Sequence, residues 1–143
     1  MIIKIDDEKL KAPEETRNME SLALAYLGDA VIEMLARDHT FSSYAGTHIG
    51  ELHKKTVNYV SANAQSLALS KILPILTEEE EGVYKRGRNV KSHSVPKHTD
   101  PAVYHRSTGL EALFGFLYLT GQTERIQNLF NVGFLDNDKT EEI

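Results

Sequence analysis

Leu22-Ala23-Leu24-Ala25-Tyr26-Leu27-Gly28-Asp29-Ala30-Val31-Ile32 is the stretch on which the fold turns. Apolar side chains fill it at helical spacing and on nearly every side, which predicts a helix over residues 21–36, buried over most of its circumference. Asp29 breaks that pattern as the only charged residue between Glu20 and Glu33. Gly28 beside it breaks it again, because a mid-helix glycine costs about 1 kcal/mol relative to alanine.

A second stretch repeats the anomaly. Leu110-Glu111-Ala112-Leu113-Phe114-Gly115-Phe116-Leu117-Tyr118-Leu119 is almost wholly apolar, and Glu111 is the only charged residue between Arg106 and Glu124. Gly109 and Gly115 flank it. An unpaired buried carboxylate is strongly disfavoured, so each acid needs a hydrogen-bonded partner, a cation or a proton. If the two helices cross at their glycines, Asp29 and Glu111 converge on one hard cation. Mg²⁺ suits such a site, since it prefers oxygen ligands and keeps several waters. The structural alternative pairs each acid with a basic side chain such as Arg106, Lys54 or Lys55; the residues by themselves leave both readings open.

Outward from these two stretches, the chain reads as further helices. Residues 41–46 form a polar loop, 50–60 a second helix and 62–73 a third that stops near Pro74. Thr77-Glu78-Glu79-Glu80 matches a capping box and opens a short helix to Lys85 or Arg86. Residues 87–99 read as an exposed loop, and Asp100-Pro101 as an N-cap with proline at the first helical position. That helix runs to about Thr120, with Gly121 as its stop, and Thr123 caps a last helix over 124–131. No strand pattern and no internal repeat is visible, so the expected fold is an all-α, single-domain helical bundle. Its expected layout is an N-terminal arm over 1–17, a folded domain over 18–134 and a tail over 135–143.

A chain of 143 residues with 41% hydrophobic content suffices for one buried core. With no cysteine, disulfides, thiolate nucleophiles and zinc-thiolate sites are excluded. No apolar run reaches the roughly 18 residues of a membrane span, and residues 1–11 lack the pattern of a leader, so a cytoplasmic protein without membrane partners is expected. The net charge of −5 conceals an asymmetry. Residues 85–106 hold six basic residues against Asp100, a net +5, while the rest of the chain holds 10 basic and 20 acidic residues, −10. Lys85, Arg86, Arg88, Asn89, Lys91 and Lys97 thus form a candidate phosphate-tracking segment, and Lys54 and Lys55 add positive charge on the second helix. His93, His98 and His105, five and seven residues apart, match no familiar zinc pattern. No nucleophile elbow, phosphate-binding loop or dinucleotide fingerprint occurs.

The two acidic stretches resemble the signature helix and the second acidic motif of the ribonuclease III catalytic domain. Leu52-His53-Lys54-Lys55, Val60-Ser61-Ala62-Asn63-Ala64-Gln65 and Lys85-Arg86-Gly87-Arg88-Asn89 bring the resemblance closer to Mini-III ribonucleases, the bacterial branch without a double-stranded-RNA-binding domain. It covers residues 18–132. The resemblance implies a ribonuclease III-like helical bundle acting as a homodimer, a Mg²⁺-dependent endonuclease (with Mn²⁺ as a substitute) that cuts double-stranded RNA to 5′-phosphate ends. It also implies maturation of large-subunit (23S) ribosomal RNA. Asp29 and Glu111 fall on the family's metal-binding carboxylates, and Tyr26 on an aromatic that packs across the dimer. Two family acids are missing: Ala25 and Thr108 stand where longer ribonuclease III proteins place glutamate and aspartate, which leaves the number of ions open. Two other readings keep the helices without the chemistry: a catalytically silent RNA-binding protein and a helical protein-interaction adaptor.

Overall fold

The second acidic stretch forms the axis around which four of the other helices pack. The computed structural model describes residues 10, 12, 20–46, 48–90 and 95–135, and among them the chain is helical with no strand. The helices are α1 (Ser21–Phe41), α2 (Ile49–Val60), α3 (Ala62–Ile72), α4 (Glu78–Arg88), α5 (Pro101–Leu119) and α6 (Thr123–Phe130). A 3-10 turn, Leu73–Ile75, follows α3, and a π-helical turn, Asn131–Leu135, follows α6. Most of the arm and tail, together with Lys91 and His93, lie outside the described residues.

Helix α5 is buried without interruption from Ser107 through Leu117 except at Glu111, which is partly exposed. An element apolar all round must be covered all round, and α1, α3, α4 and α6 each pack against it. Ile32, Leu69, Ile72, Leu110, Leu113, Phe114, Phe116, Leu117, Ile126 and Leu129 are wholly withdrawn from solvent. At about 1.5–3 kcal/mol for each large side chain, this one core dominates the stabilisation, and the single-domain, all-helical architecture follows from it.

The expected capping chemistry is present at α4 and α5. Thr77 Oγ1 accepts from Glu80 N at 3.1 Å while Glu80 Oε1 accepts from Thr77 N at 2.9 Å, and Asp100 Oδ1 accepts from Ala102 N at 2.8 Å. Glu80 also receives both Arg125 Nε and Nη2, at 2.9 and 2.8 Å, which ties the start of α4 to α6. Gly121, at φ +74°, turns the chain out of α5.

Four local expectations need correction. Helix α1 runs on to Phe41, and it is not buried on most sides: Ala23, Tyr26, Asp29, Ala30, Met34, Arg37 and Asp38 form an exposed stripe. Gly87 and Arg88 belong to α4 rather than to a loop, because a glycine there allows close packing on α5; a β-carbon on Gly87 would lie 3.0 Å from Gly109 Cα. The cap position of α6 is Gln122, with no side-chain cap, and Thr123 is already helical. The regular part of α6 ends at Phe130, where the π turn buries Gly133 and Phe134.

Candidate functional site

Helices α1 and α5 touch backbone to backbone. A β-carbon on Gly28 would overlap the Glu111 carbonyl, and one on Gly115 would overlap the carbonyl of Leu24. Only glycine permits this approach, and the acids adjacent to the crossing are drawn together by it. The carboxyls of Asp29 and Glu111 lie within interaction reach of each other, so the pair favours a shared proton or a cation over two bare negative charges. Asp29 is exposed at the rim and Glu111 is the more enclosed of the two. Burial pushes the Glu111 carboxyl up to about 8; the hydrogen bond with Asp29 and the charge of Asp29 add to the rise, and a hydrogen bond from Gln65 opposes it.

No basic partner accounts for this pair. Among the described residues Glu33 pairs with Arg37, Glu81 with Lys85, and Glu80 with Arg125, while neither Asp29 nor Glu111 is in an ion pair. Arg106 instead spans to α3, donating to Ser66 Oγ at 2.9 Å, Ser66 O at 3.1 Å and Ser70 Oγ at 2.9 Å. Lys54 and Lys55 project from α2 into solvent. Among the described residues, therefore, no buried basic side chain is paired with either acid.

The donor set is composed of oxygen. No group of three or more acidic or histidine side chains stands ready for a metal among the described residues. Ala25 is buried, and Thr108 Oγ1 donates to Tyr104 O at 3.1 Å within its own helix. Gln65 of α3 completes the surroundings: it is 2% exposed, and its Nε2 donates to Val60 O at 3.0 Å and to Glu111 Oε2 at 3.4 Å. Its Oε1 has no partner among the described residues. Two close carboxylates without a basic neighbour are chemically suited to a hard divalent cation. Gln65 is not among the site residues that the sequence points to. The available signal is a glutamine at the first position of an otherwise apolar inward face, followed by Ala68, Leu69 and Ile72.

The basic residues occupy the last turn of α4 and beyond. Lys85 Nζ lies 3.0 Å from Glu81 Oε1, and Arg86 is exposed. The Arg88 guanidinium sits 5.5 Å from the centre of the Tyr84 ring, with its Nε donating to Asn89 Oδ1 at 3.1 Å. Cations at a helix C-terminus also complement the helix dipole. Lys97 is exposed beside His98, whose φ is +71°. The Gly87–Gly109 contact sets this basic turn against α5 within two residues of Glu111. Tyr26 is 85% exposed on α1, one turn before Asp29 on the same stripe.

Comparison with known proteins gives a consistent result. A family model described as the ribonuclease III domain matches residues 22–122. The Mini-ribonuclease 3 of Symbiobacterium thermophilum is 46% identical over 108 residues, covering 76% of this chain and 82% of that protein. That of Enterococcus faecalis is 45% identical over 117 residues, covering 80% and 88%. Among solved structures, the crystal structure of a protein from Fusobacterium nucleatum superposes with a TM-score of 0.74 at 34% identity, over 82% of this chain and 93% of that one.

Proposed function

The chain belongs to the ribonuclease III family, in its Mini-ribonuclease 3 branch, and is an endoribonuclease of double-stranded RNA; we propose that Asp29 and Glu111 form its catalytic divalent-metal site. The observation that carries this reading is the close carboxylate pair with no basic partner among the described residues. Asp29, at the rim, and Glu111, further in, are the residues that would hold Mg²⁺, with Mn²⁺ as a substitute. When bound, the ion supplies Lewis-acid polarisation of the scissile phosphate and lowers the pKa of the attacking water. The protein's part is to hold the two carboxylates ionised, in place and close together. Hydrolysis then leaves a 5′-phosphate without a covalent enzyme intermediate.

Affinity for the duplex comes from phosphate contacts, because A-form RNA is read largely through its shape, phosphates and 2′-hydroxyls. Lys85, Arg86, Arg88 and Asn89 at the end of α4, together with Lys97, Lys54 and Lys55, are the proposed contacts; Lys91 belongs to the same segment but lies outside the described residues. The substrate class within this reading is the precursor of large-subunit ribosomal RNA, as the family resemblance implies. A homodimer is part of the same reading. It is supported by the apolar side chains left exposed on α1 and α2: Tyr26 at 85%, Phe41 at 63%, Ile49 at 61% and Met34 at 47%. No helix among the described residues is long and apolar enough to cross a membrane.

Calorimetric titration with Mg²⁺ tests the site itself. Wild-type protein is expected to bind the ion, and Asp29→Asn and Glu111→Gln each to lose most of that affinity. Equal binding by all three proteins would refute the assignment.

A further inference from the structure

Gln65, Ala68, Leu69 and Ile72 form the inward face of α3. Three of the four are apolar, yet Gln65, at 2% exposure, is buried nearly as deeply as they are. A buried amide is unfavourable unless its polar atoms are paired, and Gln65 Oε1 is unpaired among the described residues. Packing by itself favours methionine or leucine at this position.

The amide is instead directed at the site. Its Nε2 donates to Val60 O at 3.0 Å and to Glu111 Oε2 at 3.4 Å. Val60 O accepts only a donor, which settles that the nitrogen end of the amide faces Glu111. The base of the side chain is fixed on both sides. Ser61 caps α3 by accepting from Ala64 N at 3.2 Å, and Arg106 of α5 holds the next residue, Ser66, through its hydroxyl and carbonyl. Gln65 is the side-chain hydrogen-bond donor to the Glu111 carboxylate among the described residues. With Ala25 and Thr108 contributing no acid, the orientation of the remaining carboxylates carries more weight.

We propose that Gln65 is a positioning residue: its amide fixes the rotamer and plane of the Glu111 carboxylate that, with Asp29, would hold the divalent cation. The assignment rests on the metal-site reading above. Partners that orient a metal ligand in this way typically contribute about 10- to 100-fold to metal affinity or activity. Gln65 would act entirely through Glu111 and need not touch the RNA.

The test compares Gln65→Met and Gln65→Asn with wild type. Methionine matches the length of glutamine, forms helix readily and removes the unpaired oxygen; asparagine keeps the amide but falls one methylene short. Calorimetry with Mn²⁺ alone is expected to give an affinity about 10- to 100-fold weaker in both variants. Thermal midpoint and metal-free retention of a long RNA duplex are expected to stay close to wild type. If either folded variant binds Mn²⁺ as wild type does, Gln65 is a packing residue, the proposal fails and the metal site stands. Failure of both variants to fold would likewise assign Gln65 to the core. If wild-type protein itself binds no Mn²⁺, the metal-site reading falls and the proposal falls with it.

Discussion

Asp29 on α1 and Glu111 on α5 bring their carboxyls within interaction reach of each other beside the Gly28–Gly115 helix crossing. Two acids in that relationship hold a proton or a cation between them, and everything specific to this site follows from which of the two is present.

The pair makes the metal-free protein sensitive to pH. Burial foremost, and then Asp29, raise the Glu111 carboxyl from 4.5 to about 8. Between those two values the folded state binds more protons than the unfolded state, so this group's contribution is full below pH 4.5 and is lost as pH rises through about 8. Melting without metal is expected to become easier from about pH 5 to about pH 8, and Glu111→Gln to flatten that dependence. Cation binding must displace the same proton, so cleavage at limiting Mg²⁺ is expected to rise with pH, with its midpoint moving lower as Mg²⁺ is raised.

The crossing tolerates no added carbon. A β-carbon on Gly28 would overlap the Glu111 carbonyl and lie 2.8 Å from Gly115 N, so α1 and α5 must separate to accept it. Gly28→Ala is expected to cost about 1–3 kcal/mol or more in urea unfolding, and Gly115→Ala to behave alike. In whatever folded fraction remains, cleavage is expected to fall further than stability explains, because the carboxylates have moved apart.

These glycines show how much of the site is legible in the sequence. Solitary acids in apolar helices mark Asp29 and Glu111, and the adjacent glycines suggest a close crossing; which face of α1 turns outward is not written there. Asp29 lies on the exposed stripe because α1 covers α5 on one side only. Gly87 misleads for a related reason. A glycine among basic residues looks like a loop, but here it is the flat contact that lets α4 reach α5 at Gly109. Gln65 shows in the sequence only as one polar residue on the apolar face of Ala68, Leu69 and Ile72; the fold is what places its amide against Glu111. Capping boxes and proline positions depend on neighbours within a few residues, and the capped starts of α4 and α5 are therefore readable directly.

Positive charge at the end of α4 should govern duplex affinity. Replacing Lys85, Arg86 and Arg88 together with glutamine is expected to weaken binding and to lower the magnitude of the salt slope by about one for each phosphate left without its cation. Lys85 contributes least, since Glu81 already pairs with it at 3.0 Å. Filter binding across a salt series measures both quantities, and circular dichroism checks that the helices persist.

Tyr26, exposed on the same stripe of α1 as Asp29, is the proposed anchor between copies. Tyr26→Ala is expected to weaken self-association by about 2 kcal/mol, roughly 30-fold in dissociation constant. Sedimentation across a concentration series reads it, and an unchanged monomer fraction would remove Tyr26 from the interface.

The most direct measurement is cleavage of a long RNA duplex by wild type and Asp29→Asn, with and without Mg²⁺, alongside binding of the same duplex. Wild type should cut only with the divalent ion, whereas Asp29→Asn should bind the duplex as well and cut it about a hundredfold more slowly or worse. Cutting by wild type in the absence of any divalent ion, or by Asp29→Asn at the wild-type rate, would contradict the account.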